Sequence, residues 1–511
     1  MKKIIIIILG MISLIGCESL DETPYDFLSA DNLYRNEADV DLALFGVYST
    51  LNNSNHDLWY FLSTSGPGES VTTRFNGGNQ LFLCALNFNP TLAHGVWWSN
   101  FYRGINRANA VIANVGSAGL EPILEEQKIA EARFLRAYFY FNLVKWFGDV
   151  PLYLEETTNF SEEVIFRARN PKEEVYAAII EDLKYAETRL PLPSEWDASN
   201  FGRATSGAAK GFLGKVYLHM AGKPLEQTEM YDLAAIKLQE VVDLKVYKLQ
   251  DDFGSIFTLE NETNNELIFV RPNVEDNAAG TVLTFFAGPP NTPFANRNGQ
   301  YQFGFSLDFY NSFSEDDKRR DVTLQYTYTD ANGRFIEYNS PNNPGQPGNP
   351  AGPGNPALPQ GGYREPGGVA FGKLKDAQND VSPFAHDNDI IYMRYADVLL
   401  MLAEAYNEAG NSPAALPHLN KVRLRADLTP GITTTDQATL RTIIKQERKW
   451  ELAGEYQEYG DLQRWGDIKA SIPNNAAAAR IGVSYDAKME LLPIPQGQLD
   501  DNPNLKQNPG Y

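Results

Sequence analysis

Residues 392–427, YMRYADVLLMLAEAYNEAGNSPAALPHLNKVRLRAD, constrain the fold more than any other stretch, because they read as two helices joined by a tight turn. In the first half, apolar residues recur at helical spacing through Val398, Leu399, Leu402, Ala405 and Tyr406. They stop at Gly410, which suits the left-handed position that ends a helix. The second half starts behind Asn411 and Ser412, with Pro413 at a first-turn position where its missing N–H costs nothing. Leu402 and Ala403 are followed three residues on by Tyr406, nine further on by Ala415, and then by Leu419 and Val422 at steps of four and three. These are the offsets of a tetratricopeptide unit, in which small residues let two helices approach and large ones fill the gap between them. One such hairpin cannot bury its own apolar face, so the chain should contain several.

The rest of the chain supplies them. A helix is predicted over 37–51, with Val40, Leu44, Val47 and Leu51 on one face, and another from near Trp97 through Trp98, Tyr102, Ile105, Ala108 and Ile112. The stretch 125–147 is apolar almost all round and should be a central, buried helix. Asn170-Pro171 followed by Glu173 and Glu174 signals a helix start, running to 189 and partnering the helix before it. Leu213-Gly214 and Tyr217 match the first helix of a repeat, and Ala234, Leu238 and Val241 match the second, across a longer connection. Residues 52–95, with SGPGES and FNGGNQ, read as loop. From 247 to 389 short β-like runs (266–270, 324–328) alternate with turns, and 339–368 is saturated with Pro, Gly and Asn, an exposed insertion. Helix resumes with the 392–427 hairpin and again over 437–455.

A formal charge of -21 excludes a protein built to hold nucleic acid, whose phosphates need a basic face, and argues against charge-driven binding to an anionic membrane. Lys2 and Lys3 precede an apolar run that is too short to span a bilayer and ends in Leu14-Ile15-Gly16-Cys17. This is the pattern of a bacterial lipobox, predicting a signal over 1–16, acylation of Cys17 and a flexible acidic tether over 17–30. With Cys17 acylated, Cys84 has no partner for a disulfide and reads as a small core hydrophobe.

Sequence signals for catalysis are weak. His56, His94, His219, His386 and His418 show no metal-binding spacing, and there is no GxSxG elbow or phosphate-binding loop, so no cofactor or metal is expected. Asp251-Asp252 and Asp316-Asp317 are adjacent acids of the kind a glycosidase needs, and Asp251-Asp252 or Asp387 with Asp389 suits calcium, but solvated surface accounts for all of them.

Several stretches together resemble the SusD/RagB family of outer-membrane nutrient-binding lipoproteins. They are the lipobox; 37–51 with Gly46-Val47-Tyr48; YRGINRAN at 102–109; AEARFLRAY at 130–138; WFGDVPL at 146–152; RYADVLL at 394–400; Glu447-Arg448 with Glu451-Leu452; LPIP at 492–495; and QNPGY at 507–511. The resemblance implies a mostly α fold of about four tetratricopeptide-like helix pairs, with an irregular, loop-rich half carrying short β-hairpins. In those terms 31–246 is an N-terminal helical part, 247–389 an irregular insertion and 390–511 a C-terminal helical part. It also implies a surface lipoprotein that holds an oligosaccharide, or in some members a peptide, without altering it. Its partner would be a SusC-like TonB-dependent transporter, docked through the helical repeats. A scaffold of that transporter with no small ligand is the alternative.

A pyranose offers an apolar face to an aromatic ring and hydroxyls to polar side chains, so a glycan site needs both on exposed loops. Two blocks have that mixture. The first holds Trp59, Tyr60, Glu69, Arg74, Phe75, Asn76 and Phe88, then Trp97 and Asn100 at the following helix start; the second holds Phe294, Arg297, Tyr301 and Phe303, then Tyr363 and Arg364. Trp98 falls on the core face with Tyr102 and Ile105, which leaves Trp97 free to point elsewhere.

Overall fold

Twelve longer helices, numbered here in chain order, carry the architecture. They are α1 (Glu37–Tyr48), α2 (Ser54–Thr64), α3 (Gly78–Cys84), α4 (Gly95–Asn114), α5 (Pro122–Phe147), α6 (Lys172–Glu187), α7 (Ser206–Ala221), α8 (Met230–Asp243), α9 (Tyr395–Glu408), α10 (Ser412–Arg425), α11 (Gln437–Glu451) and α12 (Glu458–Trp465). The computed structural model describes residues 33–511 except 53, 74–76, 275–279, 290–291, 293, 295–298, 331, 334, 338–368 and 377–384. The lipobox with Cys17, the acidic tether and the Pro/Gly/Asn-rich insertion therefore lie outside the described residues.

The helices pack in series, α4 on α5, α5 on α6, α7 on α8, α8 on α9, and α9 on both α10 and α11. The offsets in the sequence are what make this possible. Leu402, Ala403, Ala415, Leu419 and Val422 are all buried where α9 meets α10. In the unit before it, a Cβ on Gly214 would stand 2.6 Å from the side chain of Leu238, so glycine sets how closely α7 approaches α8. The all-round apolar helix α5 is the central one, with buried residues on every face of its last five turns. Gly410 does take the left-handed conformation, φ +82, just past the end of α9.

Charges stitch the layers together. Arg136 on α5 holds Asp182 on α6 through two bonds of 2.8 Å, and Arg203 donates to Glu131 on α5, which also accepts from Tyr48 Oη at 2.8 Å. Asp397 at the head of α9 receives Lys215 Nζ at 3.0 Å and Arg448 Nη1 at 2.9 Å. Burial pushes this carboxyl up, but the two cations more than reverse that and hold it at about 2. These pairs sit in the AEARFLRAY, RYADVLL and Glu447-Arg448 stretches, so those motifs are interhelical register marks. A buried pair is worth little net stability, but a misregistered one leaves a bare charge.

Several local expectations are corrected. Residues 52–95 are not one loop: they hold α2, α3 and the strand β1 (Val71–Thr73). In α2 the Leu58, Phe61 and Leu62 spacing drives burial despite the Gly- and Asn-rich flanks. Tyr392 and the residues beside it belong to a strand, β8 (Ile390–Arg394), and the helix begins at Tyr395. The expected cap at Asn170-Pro171 is displaced, because α6 starts at Lys172, whose N–H donates to the Asp149 carboxylate at 2.9 Å. The helix predicted over 437–455 ends at Glu451. Trp97 is not free of the core: it is buried with Trp98, wedged between Tyr60, Phe101 and Phe147. The reason is geometric, since α2 covers the face of α4 that the sequence leaves unassigned. Cys84 is buried and its thiol is pushed up to about 12 by burial, as befits a core residue.

Candidate functional site

The irregular half is organised by four small antiparallel ladders. Beyond β1 and β8 the strands are β2 (Leu267–Arg271), β3 (Phe303–Phe305), β4 (Leu324–Gln325), β5 (Thr327–Thr329), β6 (Phe335–Glu337) and β7 (Ala370–Phe371). β2 pairs with β8 and anchors the block to the head of α9. β1 pairs with β3, with Val71, Thr72 and Thr73 opposite Phe305, Gly304 and Phe303. Phe305 then bridges to Val369, and β7 pairs with β4. The result is a strip that runs from the end of β1 to the start of the tyrosine-rich segment 326–328. Stacked Phe305 and Phe371 rings, 4.6 Å apart and 17° from parallel, hold it from below.

Hydrogen bonds fix this strip. Thr73 Oγ1 donates to the Gln302 carbonyl at 2.8 Å, Arg480 Nη1 donates to the Thr73 carbonyl at 2.5 Å, and Ser306 Oγ donates to the Glu69 carbonyl at 3.1 Å. Tyr301 is held at φ +51, a left-handed conformation that a side chain rarely adopts. Its ring packs with Phe294, Ala370 and Tyr328, and the Lys375 ammonium lies 4.9 Å from the Phe294 ring centre. Burial holds the Lys375 amine below the ordinary lysine range. On the other flank Tyr310 and Tyr326 stack at 4.9 Å and 23°, with the Arg320 guanidinium 5.2 Å from the Tyr310 ring centre. Tyr310, Tyr326 and Tyr328 are half-buried, so part of each ring reaches solvent. Between the flanks, Gln302 Nε2 donates to Gln300 Oε1 at 2.6 Å, while the buried Gln302 Oε1 meets no partner among the described residues. Ring faces beside amide and cationic donors are the equipment for stacking on a sugar while bonding its hydroxyls.

The residues anticipated from sequence divide into three groups. Phe294 and Tyr301 come together beneath the strip, but both are buried against Ala370 and Tyr328 rather than open on a loop, and Glu69 enters the strip through its backbone. The Glu69 carboxylate is otherwise engaged, by the Lys449 ammonium and by Asn474 Nδ2 at 3.1 Å. Arg74, Arg297 and Tyr363 lie outside the described residues, as do Phe75, Asn76 and Arg364. Phe88, Trp97 and Asn100 lie apart in the core, Phe88 edge-on to Tyr459 at 5.8 Å and Asn100 accepting from Arg103 at 3.3 Å, and Trp59 is half-buried against it. Tyr310, Tyr326, Tyr328, Gln302 and Lys375 were not anticipated. The alternation in LQYTYT signalled a strand, and tyrosines two apart can share a face, but no local pattern says which face stays open.

The adjacent acids prove to be separated by environment. Asp317 is buried and grips Arg319 at 2.8 and 2.9 Å, whereas Asp316, Asp251 and Asp252 are exposed. Asp389 accepts from the Asn273 N–H at 2.9 Å and shares a small cavity with Glu262. Burial, then the neighbouring Asp389 and Asp387, lifts Glu262 to about 8, and burial lifts Asp389 to about 7. No helix among the described residues is long and apolar enough to cross a membrane.

Comparison with known proteins agrees with this architecture. A family model described as "SusD family" matches residues 293–511, and one described as "Starch-binding associating with outer membrane" matches residues 22–218. A SusD-like protein of Formosa agariphila is 27% identical over 558 residues, covering 100% of this chain and 99% of its own. The starch-binding protein SusD of Bacteroides thetaiotaomicron is 25% identical over 420 residues, 75% of this chain and 72% of its own. Among solved structures, a SusD homologue from Bacteroides thetaiotaomicron superposes with a TM-score of 0.80 at 23% identity, covering 94% of this chain and 98% of that one. A laminarin-binding SusD-like protein superposes with a TM-score of 0.74 at 25% identity, covering 94% and 100%.

Proposed function

The chain belongs to the SusD/RagB family, and from that membership we propose that it is a glycan-binding protein of the outer membrane that captures an oligosaccharide on the strip between β1 and β4 and does not cleave it. The observation that carries the reading is the β1–β3 ladder, which joins two blocks far apart in sequence into one strip beside which the half-buried rings of Tyr310, Tyr326 and Tyr328 lie. Relatives named for starch, laminarin and surface-glycan binding support the ligand class. Membership also supports delivery of the ligand to a SusC-like TonB-dependent transporter, with Cys17 as the lipid anchor. Outward apolar side chains on the repeat helices, Phe45 on α1 and Ile236 on α8, each about half exposed at 51% and 55%, are compatible with a protein partner there.

Isothermal titration of the full protein against a panel of oligosaccharides and peptides tests the reading. Saturable heats with one glycan class, and no shortened product after prolonged incubation, are expected. Released product would replace the binding role with catalysis, and heats with peptides alone would replace the ligand class.

A further inference from the structure

A second concave site lies on the helical side, built from segments that the strip does not use. It is a cavity of about 280 Å³ between α4, the crossing 151–166 and the C-terminal segment 498–505. Its floor is aromatic. The half-buried rings of Tyr102 and Tyr153 stand perpendicular at 6.0 Å, and Trp98, itself buried, backs Tyr102 with ring centres 5.1 Å apart. The two tyrosine rings are immobilised by their hydroxyls, since Tyr102 Oη donates to the Pro151 carbonyl and Tyr153 Oη to the Ile165 carbonyl, both at 2.9 Å. A floor locked in this way loses little conformational freedom when a ligand stacks on it.

The rim is polar and unspent. Asn106 uses its Oδ1 to accept from the Thr157 N–H at 2.9 Å, which leaves its amide N–H groups without a partner among the described residues. The Thr157 hydroxyl, the Gln498 amide and the Asp501 carboxylate, which also line the cavity, have no side-chain hydrogen bond among the described residues either. Donors and acceptors are therefore both available beside an aromatic floor. The lining contains one carboxylate and no lysine or arginine, and the Arg167 guanidinium that stands 4.8 Å from the Tyr153 ring centre already donates to the Leu152 carbonyl, so the wall favours a neutral ligand over an anion. The volume lies at the lower limit of small-molecule sites, which run from roughly 300 to 1,000 Å³, and suits one ring better than a chain.

We propose that this cavity is a second saccharide subsite, which takes a single neutral pyranose unit of a glycan. The assignment rests on the glycan-binding reading above and adds a separate point of attachment. Two modest sites on one protein raise the avidity for a polymer that spans both, because the second contact is made at high effective concentration.

Hydrogen exchange on the full protein tests it, with neutral β-1,3-glucan, α-1,4-glucan, β-1,4-mannan and β-1,4-xylan oligosaccharides as probes and polygalacturonate as the charged control. At least one neutral probe should slow exchange in peptides covering 98–106, 151–166 and 498–505. In the Gln498→Ala/Asp501→Ala variant, which alters side chains that bond nothing else, roughly tenfold more of that probe should be needed for the same protection, the worth of one or two hydrogen bonds. Protection confined to the β1–β4 strip would overturn the subsite and leave the glycan reading intact. Protection at the cavity without the strip would leave the subsite and overturn the strip, and protection nowhere would overturn both. Equal protection by polygalacturonate would overturn the neutral class.

Discussion

Thr73 and Phe303 stand opposite each other in an antiparallel ladder, and the Thr73 hydroxyl closes onto the carbonyl of Gln302 at 2.8 Å. That pairing makes one surface of two loop blocks, and it sets Tyr301 beside β7 and the tyrosines beyond β4. The aromatic flank it leads to is the first place to look for ligand. Tyr326→Ala removes the ring stacked on Tyr310, and titration should show glycan affinity falling by more than about 1 kcal/mol, a loss that only a minority of interface residues produce. Because Tyr326 is half-buried, the melting temperature should change little.

Gly454 supports the same surface from beneath. It has φ +75, and a Cβ there would stand 2.1 Å from the ring of Phe371, which stacks under Phe305 of β3. Gly454→Ala should therefore cost roughly 3 kcal/mol from strain and overpacking and weaken glycan binding as well. Urea unfolding and titration of the same variant check both parts. Unchanged affinity would separate the strip from the Phe305–Phe371 stack.

The irregular half is tied to the C-terminal helices through fully buried charge. Arg394 donates to Glu266 at 2.9 Å, to Glu451 at 2.5 Å and to Glu455 at 2.7 Å, and Arg319 holds Glu447 at 2.6 Å and Glu451 at 2.9 Å. Arg394→Met leaves three buried carboxylates short of a cation. The unfolding midpoint in urea should drop by the equivalent of about 3–5 kcal/mol with little change in slope.

Glu262 and Asp389 should make stability pH-dependent. Their ordinary values are 4.5 and 3.8, and the fold raises them to about 8 and about 7. A raised pKa means the native state binds the proton more tightly, so their contribution is full below the ordinary values and is lost as pH rises through about 7 and 8. The buried His94, lowered from 6.5 to about 4, acts in the opposite direction, but only below pH 6.5. Burial also lowers the Lys373 amine to about 8, which opposes the trend above that pH, so the melting temperature should fall between pH 6.5 and 8, and Glu262→Gln should flatten that decline. An equally steep decline in the variant would show that the charge on Glu262 is not its source.

Cys17→Ala should move the protein from the membrane fraction to the soluble fraction after cell lysis. Retention in the membrane would refute lipid anchoring at this residue.

The repeat architecture was legible because it depends on spacing within one helix pair. Ala403, Tyr406, Ala415 and Leu419 carry it whatever lies elsewhere in the chain, since helix-helix contact follows from 3.6-residue periodicity and the size of side chains three or four apart. What the tertiary structure alone decided was which faces stay open. Periodicity puts Trp98 on the core face and leaves Trp97 unassigned, yet both are buried because α2 covers the remaining side of α4. Tyr326 looks like an ordinary strand residue, and it reaches solvent because of where β7 and Tyr310 leave off. Burial of a given ring depends on partners distant in sequence, and those partners are chosen by the packing of the whole chain. So the sequence specified the scaffold, and only long-range pairing assembled the candidate site upon it.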